Sequence, residues 1–185
     1  NRAHILVLYD RQTASTIEVS VDDFLSWTKK RQRVARLVWT GVNFPVLADL
    51  PSVDLWLLGL WYAEGDKNLR QIGISNTEPA IANALRRYAS TTGMLIKRTK
   101  GDRCPHWRLT TVRGQPNPLL QEIRALYGTG ENLPSRYLLG TRKEREAFLA
   151  GYIDGDGYAK AGSYVEISQK AETWIRDLAF LARSL

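Results

Sequence analysis

Cysteine is almost missing: Cys104 is the one cysteine among 185 residues. A single thiol closes no internal disulfide and builds no cysteine-based zinc site. The two histidines, His4 and His106, have no second His or Cys at ligand spacing. They read as surface or phosphate-facing groups, not metal ligands. No apolar run approaches the roughly 20 residues needed to span a bilayer, so no membrane partner is expected. The opening residues Asn1, Arg2, Ala3 and His4 lack the basic-then-apolar layout of a signal peptide. The expectation is an intracellular protein, its compartment open.

What the chain has is positive charge, unevenly placed. Lys and Arg number 26 against 19 Asp and Glu, a formal net charge of +7. Between positions 86 and 113 stand eight basic residues and one acid, Asp102, so this segment alone accounts for the excess. Lys29, Lys30, Arg31, Arg33 and Arg36 form a second cluster. Concentrated positive charge favours a polyanion, and counterion release from nucleic acid is the usual driving force. The bland alternative is a solvated basic face.

The chain reads as α+β. Residues 5–9 and 16–21 suit short strands, 23–30 a helix capped by Asp22 or Asp23, and 36–44 another strand ended by Pro45. Residues 1–50 therefore form a small α/β extension. Ser52 can cap a helix over 53–64, with Gly65 ending it in the left-handed conformation. A polar hairpin at 66–76 follows, then a helix opened by Thr77 and Pro79. Strands at 95–99 and 107–112 and a helix from Pro118 complete an αββαββα unit over 51–140. The order restarts at 141–185. Thr141 and Glu144 make a capping box, a hairpin uses 158–160 and 164–168, and Ser168 caps a last helix. This second unit reads as incomplete.

The two restarts share a pattern. Leu57-Leu58-Gly59-Leu60-Trp61-Tyr62-Ala63-Glu64-Gly65 is matched by Leu149-Ala150-Gly151-Tyr152-Ile153-Asp154-Gly155-Asp156-Gly157. Gly59 and Ala63 lie on one helix face, as do Gly151 and Gly155. Glycine inside a helix costs about 1 kcal/mol against alanine, so close backbone packing of the two helices is the simplest compensation. Glu64 and Asp156 sit in the last turn of each helix, against the negative end of the dipole. If the helices pack side by side and parallel, the two carboxylates meet. They then repel and take up a proton unless a cation lies between them. Oxygen ligands of this kind suit Mg²⁺, which keeps waters and also binds phosphate. Carboxylates, a divalent metal and a phosphate backbone suffice for metal-assisted phosphodiester hydrolysis.

These residues resemble the LAGLIDADG homing endonucleases. The stretch 149–157 departs from the family's name at Tyr152 and Gly155 alone, and 57–65 is a more divergent copy with Glu64 at the acid position. The likeness covers 51–185. It implies two αββαββα repeats about a pseudo-two-fold, a monomer, and strands forming a saddle on double-stranded DNA. It implies that Glu64 and Asp156, with Gly155, hold Mg²⁺ and drive cleavage of both strands, leaving short 3′ overhangs. The expected DNA contacts are Arg70, Gln71, Ser75 and Asn76 in the first hairpin. Lys97, Arg98, Lys100, Arg103, Arg108 and Arg113 follow in the second, and Tyr158, Lys160, Ser163, Tyr164 and Glu166 in the second repeat. Arg103 or Arg108 could be the basic residue near the active site. Residues 1–50 resemble the segment preceding the endonuclease in intein-borne members. Position 1 is neither Cys nor Ser and there is no terminal His-Asn, so splicing chemistry is not expected. The leading expectation is a site-specific DNA endonuclease. A nuclease-inactive relative acting as an RNA maturase or DNA-binding regulator is the alternative.

Overall fold

The computed structural model describes residues 1–38, 41–45, 53–99, 104–127, 133–161 and 164–185. The chain forms two compact units, Asn1–Gly41 and Val42–Leu185. In the first, β1 (Ile5–Asp10), β2 (Ser15–Ser20) and β3 (Ala35–Leu37) make an antiparallel sheet in the order β2-β1-β3. Between the last two strands lie α1 (Val21–Ser26) and α2 (Lys29–Val34). One helix over 23–30 was the expectation. The chain instead turns extended at Trp27, and Thr28 caps a new helix by accepting a hydrogen bond from the Arg31 N–H. Ser20, not Asp22 or Asp23, caps α1. Arg31 is also drawn inward, its guanidinium 2.6 Å from the buried Asp10 carboxylate. That carboxyl is held below its usual range, first by the Gln12 backbone N–H and then by Arg31.

The second unit is built on α3 (Leu55–Glu64), which is apolar all round and buried over Leu57, Leu58, Gly59, Leu60, Trp61 and Tyr62. A helix of that composition has no solvent side and belongs in the centre. Asp54 caps it, accepting from the Leu57 N–H at 3.0 Å; Ser52, the expected cap, lies outside the described residues. Next come β4 (Ile72–Ser75), α4 (Pro79–Thr92), β5 (Leu95–Thr99), β6 (His106–Thr110), α5 (Pro118–Tyr127) and the short α6 (Ser135–Leu138). The sheet order is β4-β6-β5, antiparallel throughout. Ile72, Ile74, Trp107 and Leu109 face the helices and join the core with Leu85, Ile123 and Phe148.

Then α7 (Arg142–Asp156) opens on the predicted capping box, with Thr141 and Glu144 each accepting from the other's backbone. It is followed by β7 (Gly157–Lys160), β8 (Tyr164–Ile167) and α8 (Glu172–Arg183), with β7 and β8 paired. Helix α8 begins four residues after Ser168, at Glu172, and Ala171 at its N-cap makes no side-chain bond. The fold class is α+β with antiparallel sheets. Gly65 and Gly157 do not end their helices left-handed: both are extended, with φ of −80° and −93°. Each leads into sheet, Gly65 by a bridge to Ile74 and Gly157 as the first residue of β7. That bridge replaces the first strand of the hairpin expected at 66–76.

The guanidinium of Arg145 is fully enclosed and makes no ion pair with a carboxylate among the described residues. Its Nε donates to Gly140 O at 2.9 Å and its Nη1 to Ser184 O at 2.7 Å, with a further bond to Val42 O. The start of α7, the end of α8 and the segment around Val42 are thereby held at one point.

Candidate functional site

Helices α3 and α7 lie against each other with almost nothing between their backbones. A Cβ on Gly59 would overlap Phe148 O and come within 2.9 Å of Tyr152 N. A Cβ on Gly151 would overlap Trp56 O and come within 3.0 Å of Leu60 N. The contact is reciprocal, because Gly59 meets the residues matching Trp56 and Leu60 in the other motif, and Gly151 meets Trp56 and Leu60 themselves. Further along, a Cβ on Gly155 would stand 2.6 Å from that of Ala63 and 3.3 Å from Glu64 Cγ. Early residues meet early and late residues meet late, so the helices run parallel. Only side chains of hydrogen or one methyl permit this approach, and all four small residues named from the sequence lie at the contact.

Parallel packing brings the two C-terminal tips together. Glu64 and Asp156 are the last residues of α3 and α7. Glu64 is half-buried and Asp156 exposed. The Glu64 carboxyl is pushed above its ordinary range, first by loss of solvent and then by the charge of Asp156, while Lys67 pulls the other way. Beside Asp156 a cavity of about 360 Å³ is lined by Gly155, Gly157, Tyr158, Glu166 and Ser168. Among the described residues no group of three or more His, Cys, Asp and Glu side chains could hold a metal ion. A divalent cation here would be held by two carboxylates, with water, phosphate or a backbone carbonyl completing its shell. That donor set fits Mg²⁺, which retains several waters and binds through one or two carboxylates.

Two neighbours complete this centre: Lys67, which the sequence did not single out, and Asp154, which the sequence offered as a structural or substrate-facing acid. Lys67 donates to the carbonyls of Trp61 at 2.7 Å and Tyr62 at 3.0 Å, with its ammonium 4.4 Å from the centre of the Trp61 ring. It places positive charge at the negative end of α3. Desolvation brings its pKa down to about 8, against the pull of Glu64 and Asp66. Asp154 accepts a hydrogen bond from Trp56 Nε1 at 2.8 Å, tying α7 to the start of α3. The partners in each contact depend on how the chain folds back, and no local pattern announces them.

The expected DNA contacts divide. On the sheet face turned away from the helices stand Ser75, His106, Arg108 and Lys97, because Ser75 pairs with His106 and Lys97 with Arg108 across the register. Arg108 Nε is buried with no hydrogen-bond partner among the described residues. Arg98 takes the other face, opposite Trp107, with its guanidinium 5.9 Å from that ring and Arg86 at 4.8 Å. Asn76 is buried and committed to the turn before α4, accepting from Glu78 N at 2.7 Å. Gln71 binds Asp66, and Ser75 binds His106. Arg70 and Arg113 are exposed in loops. In the β7–β8 hairpin Tyr158, Lys160, Tyr164 and Glu166 share one face, with the two Tyr rings 6.3 Å apart. Lys100, Arg103 and Ser163 lie outside the described residues.

Comparison with known proteins finds two matches. Residues 143–185, which include α7 from its second residue onward, match the LAGLIDADG-like domain family. The chain is also 30% identical over 122 residues to the homothallic switching endonuclease of Saccharomyces cerevisiae (strain ATCC 204508 / S288c). The stretch 143–185 thus resembles a LAGLIDADG-like domain. The match covers 56% of this chain and 21% of that relative, so the chain spans about a fifth of that relative's length. No described helix is long and apolar enough to cross a membrane.

Proposed function

We propose that this chain is a site-specific DNA endonuclease that hydrolyses phosphodiesters in a long double-stranded target with the help of Mg²⁺. The observation that carries the reading is the pair of carboxylates, Glu64 and Asp156, at adjacent tips of parallel, backbone-packed helices. The reciprocal contacts of Gly59 and Gly151 support an arrangement of two αββαββα repeats about a pseudo-two-fold, the second one partial. The LAGLIDADG-like match over 143–185 and the endonuclease name of the yeast relative support a nuclease.

In this reading Glu64, Asp156 and a backbone carbonyl near Gly155 hold the cation. When bound, it activates water and stabilises charge on the phosphate. The water's oxygen forms a bond to phosphorus, the bond to the leaving sugar oxygen breaks, and that oxygen takes up a proton. The chain's own part is to hold two carboxylates at one point and to keep the duplex against it. Arg108, Lys97 and Lys160 supply phosphate contacts from the sheet faces. Lys67 offsets the negative helix end beneath Glu64.

The deciding experiment is a cleavage assay on a randomised duplex library, with and without Mg²⁺. Glu64→Gln and Asp156→Asn should each abolish cleavage while duplex binding persists. Full cleavage by both variants would remove the assigned centre. Binding without cleavage by the wild type at every metal concentration would assign the chain to a nuclease-inactive role.

A further inference from the structure

On the outward face of the β4-β6-β5 sheet one carboxylate stands among bases and hydroxyls. The His106 ring is held from both sides: Nδ1 shares a hydrogen bond with Ser75 Oγ at 2.9 Å, and Nε2 lies 3.3 Å from Asp66 Oδ2. Gln71 Nε2 donates to the same Asp66 oxygen at 3.2 Å. Gly73 makes the arrangement possible. A Cβ there would overlap Asp66 Oδ2 and reach within 2.6 Å of His106 Nε2, so the absence of a side chain lets carboxylate and imidazole lie across the strand. One Asp66 oxygen is thus occupied, and Oδ1 has no partner among the described residues. The side chain is 27% exposed, enough to meet a ligand and too little to swing freely.

A carboxylate on this surface is out of keeping with Lys97 and Arg108 beside it. It repels phosphate, so it does not serve the backbone contacts those two side chains suit. What it accepts from is a hydrogen-bond donor. In the major groove the donors are the exocyclic amino groups of cytosine and adenine. A carboxylate already fixed by its neighbours loses little freedom on binding, which favours discrimination.

We propose that Asp66 is a base-reading residue that recognises an exocyclic amino group of the DNA target, and that His106, with Ser75 and Gln71, is the positioning residue that aims it. The inference rests on the DNA reading above and extends it to a specificity determinant. The test is a metal-free binding selection from a randomised duplex library, run with wild type, Asp66→Ala, Asp66→Asn, His106→Ala and Lys97→Gln. Wild type should select a site with about tenfold or greater preference for cytosine or adenine at one position. Asp66→Ala and Asp66→Asn should lose or change that preference while the rest of the selected site is retained. His106→Ala should blur the same position, a change that a purely structural role would spread over the whole site. Lys97→Gln should weaken binding evenly without altering the selected sequence. Identical selected sites for wild type and both Asp66 variants would overturn the proposal and leave the DNA reading intact. Failure of the wild type to select any site would overturn both. If Asp66→Ala does not fold, the isosteric Asp66→Asn decides alone.

Discussion

Glu64 carries an electrostatic debt that folding creates. Its carboxyl is raised from the ordinary value of 4.5 by desolvation and by Asp156. The folded chain therefore binds that proton more tightly than the unfolded chain. The contribution of this group to stability is fully present at low pH. It declines as pH rises from the ordinary value through the raised one. A divalent cation bound between the tips, as proposed, would reverse the loss. Thermal melts across pH should show metal-free stability falling in that window and Mg²⁺ restoring it at neutral pH. Glu64→Gln should flatten the pH response and diminish the Mg²⁺ effect. An undiminished Mg²⁺ effect in that variant would mean that the cation binds elsewhere.

The motif helices are matched units, and their separation is set by two hydrogens. Gly59→Ala and Gly151→Ala each place a methyl into the opposing backbone. A methyl gains about 1 kcal/mol of helix propensity, but forcing the helices apart costs about 1–3 kcal/mol or more. The net expectation is a lower denaturant midpoint together with a weaker Mg²⁺ response, because the carboxylate tips separate. Thr141→Ala gives the contrast. It removes the capping box of α7 and should cost about 1 kcal/mol without touching the Mg²⁺ response. Equal metal sensitivity in the glycine variants and the wild type would detach the helix packing from the site.

Across the molecule, charge is spread over more surfaces than its place in the chain suggests. Of the basic segment 86–113, Lys97 and Arg108 share the outward sheet face, while Arg86 and Arg98 stand over Trp107 on the helix side. Arg31 in the other cluster is committed to Asp10. The salt dependence of DNA binding should therefore reflect fewer contacts than the net charge of +7 suggests. Lys97→Gln and Arg108→Gln should each reduce the slope of log affinity against log salt by about 0.9, and Arg98→Gln should leave it unchanged. A slope that falls equally for Arg98→Gln would put that side chain on the DNA after all.

Features that act within a turn or two of chain could be read from residue order: the Thr141 capping box, the small-residue faces of both motifs and the acids at their ends. Each depends on neighbours three or four positions away, so spacing carries the information. Local signals were overruled in conformation where the next element took the residue: Gly65 and Gly157 cap their helices, but extended, because each leads into sheet. The face chosen by Arg98, the burial of Asn76, the Lys67 contacts and the Asp66–His106–Ser75 array depend on strand register and on segments far apart in the chain. Their energetics are set by which groups lose water together, and that follows from packing, not from order along the backbone.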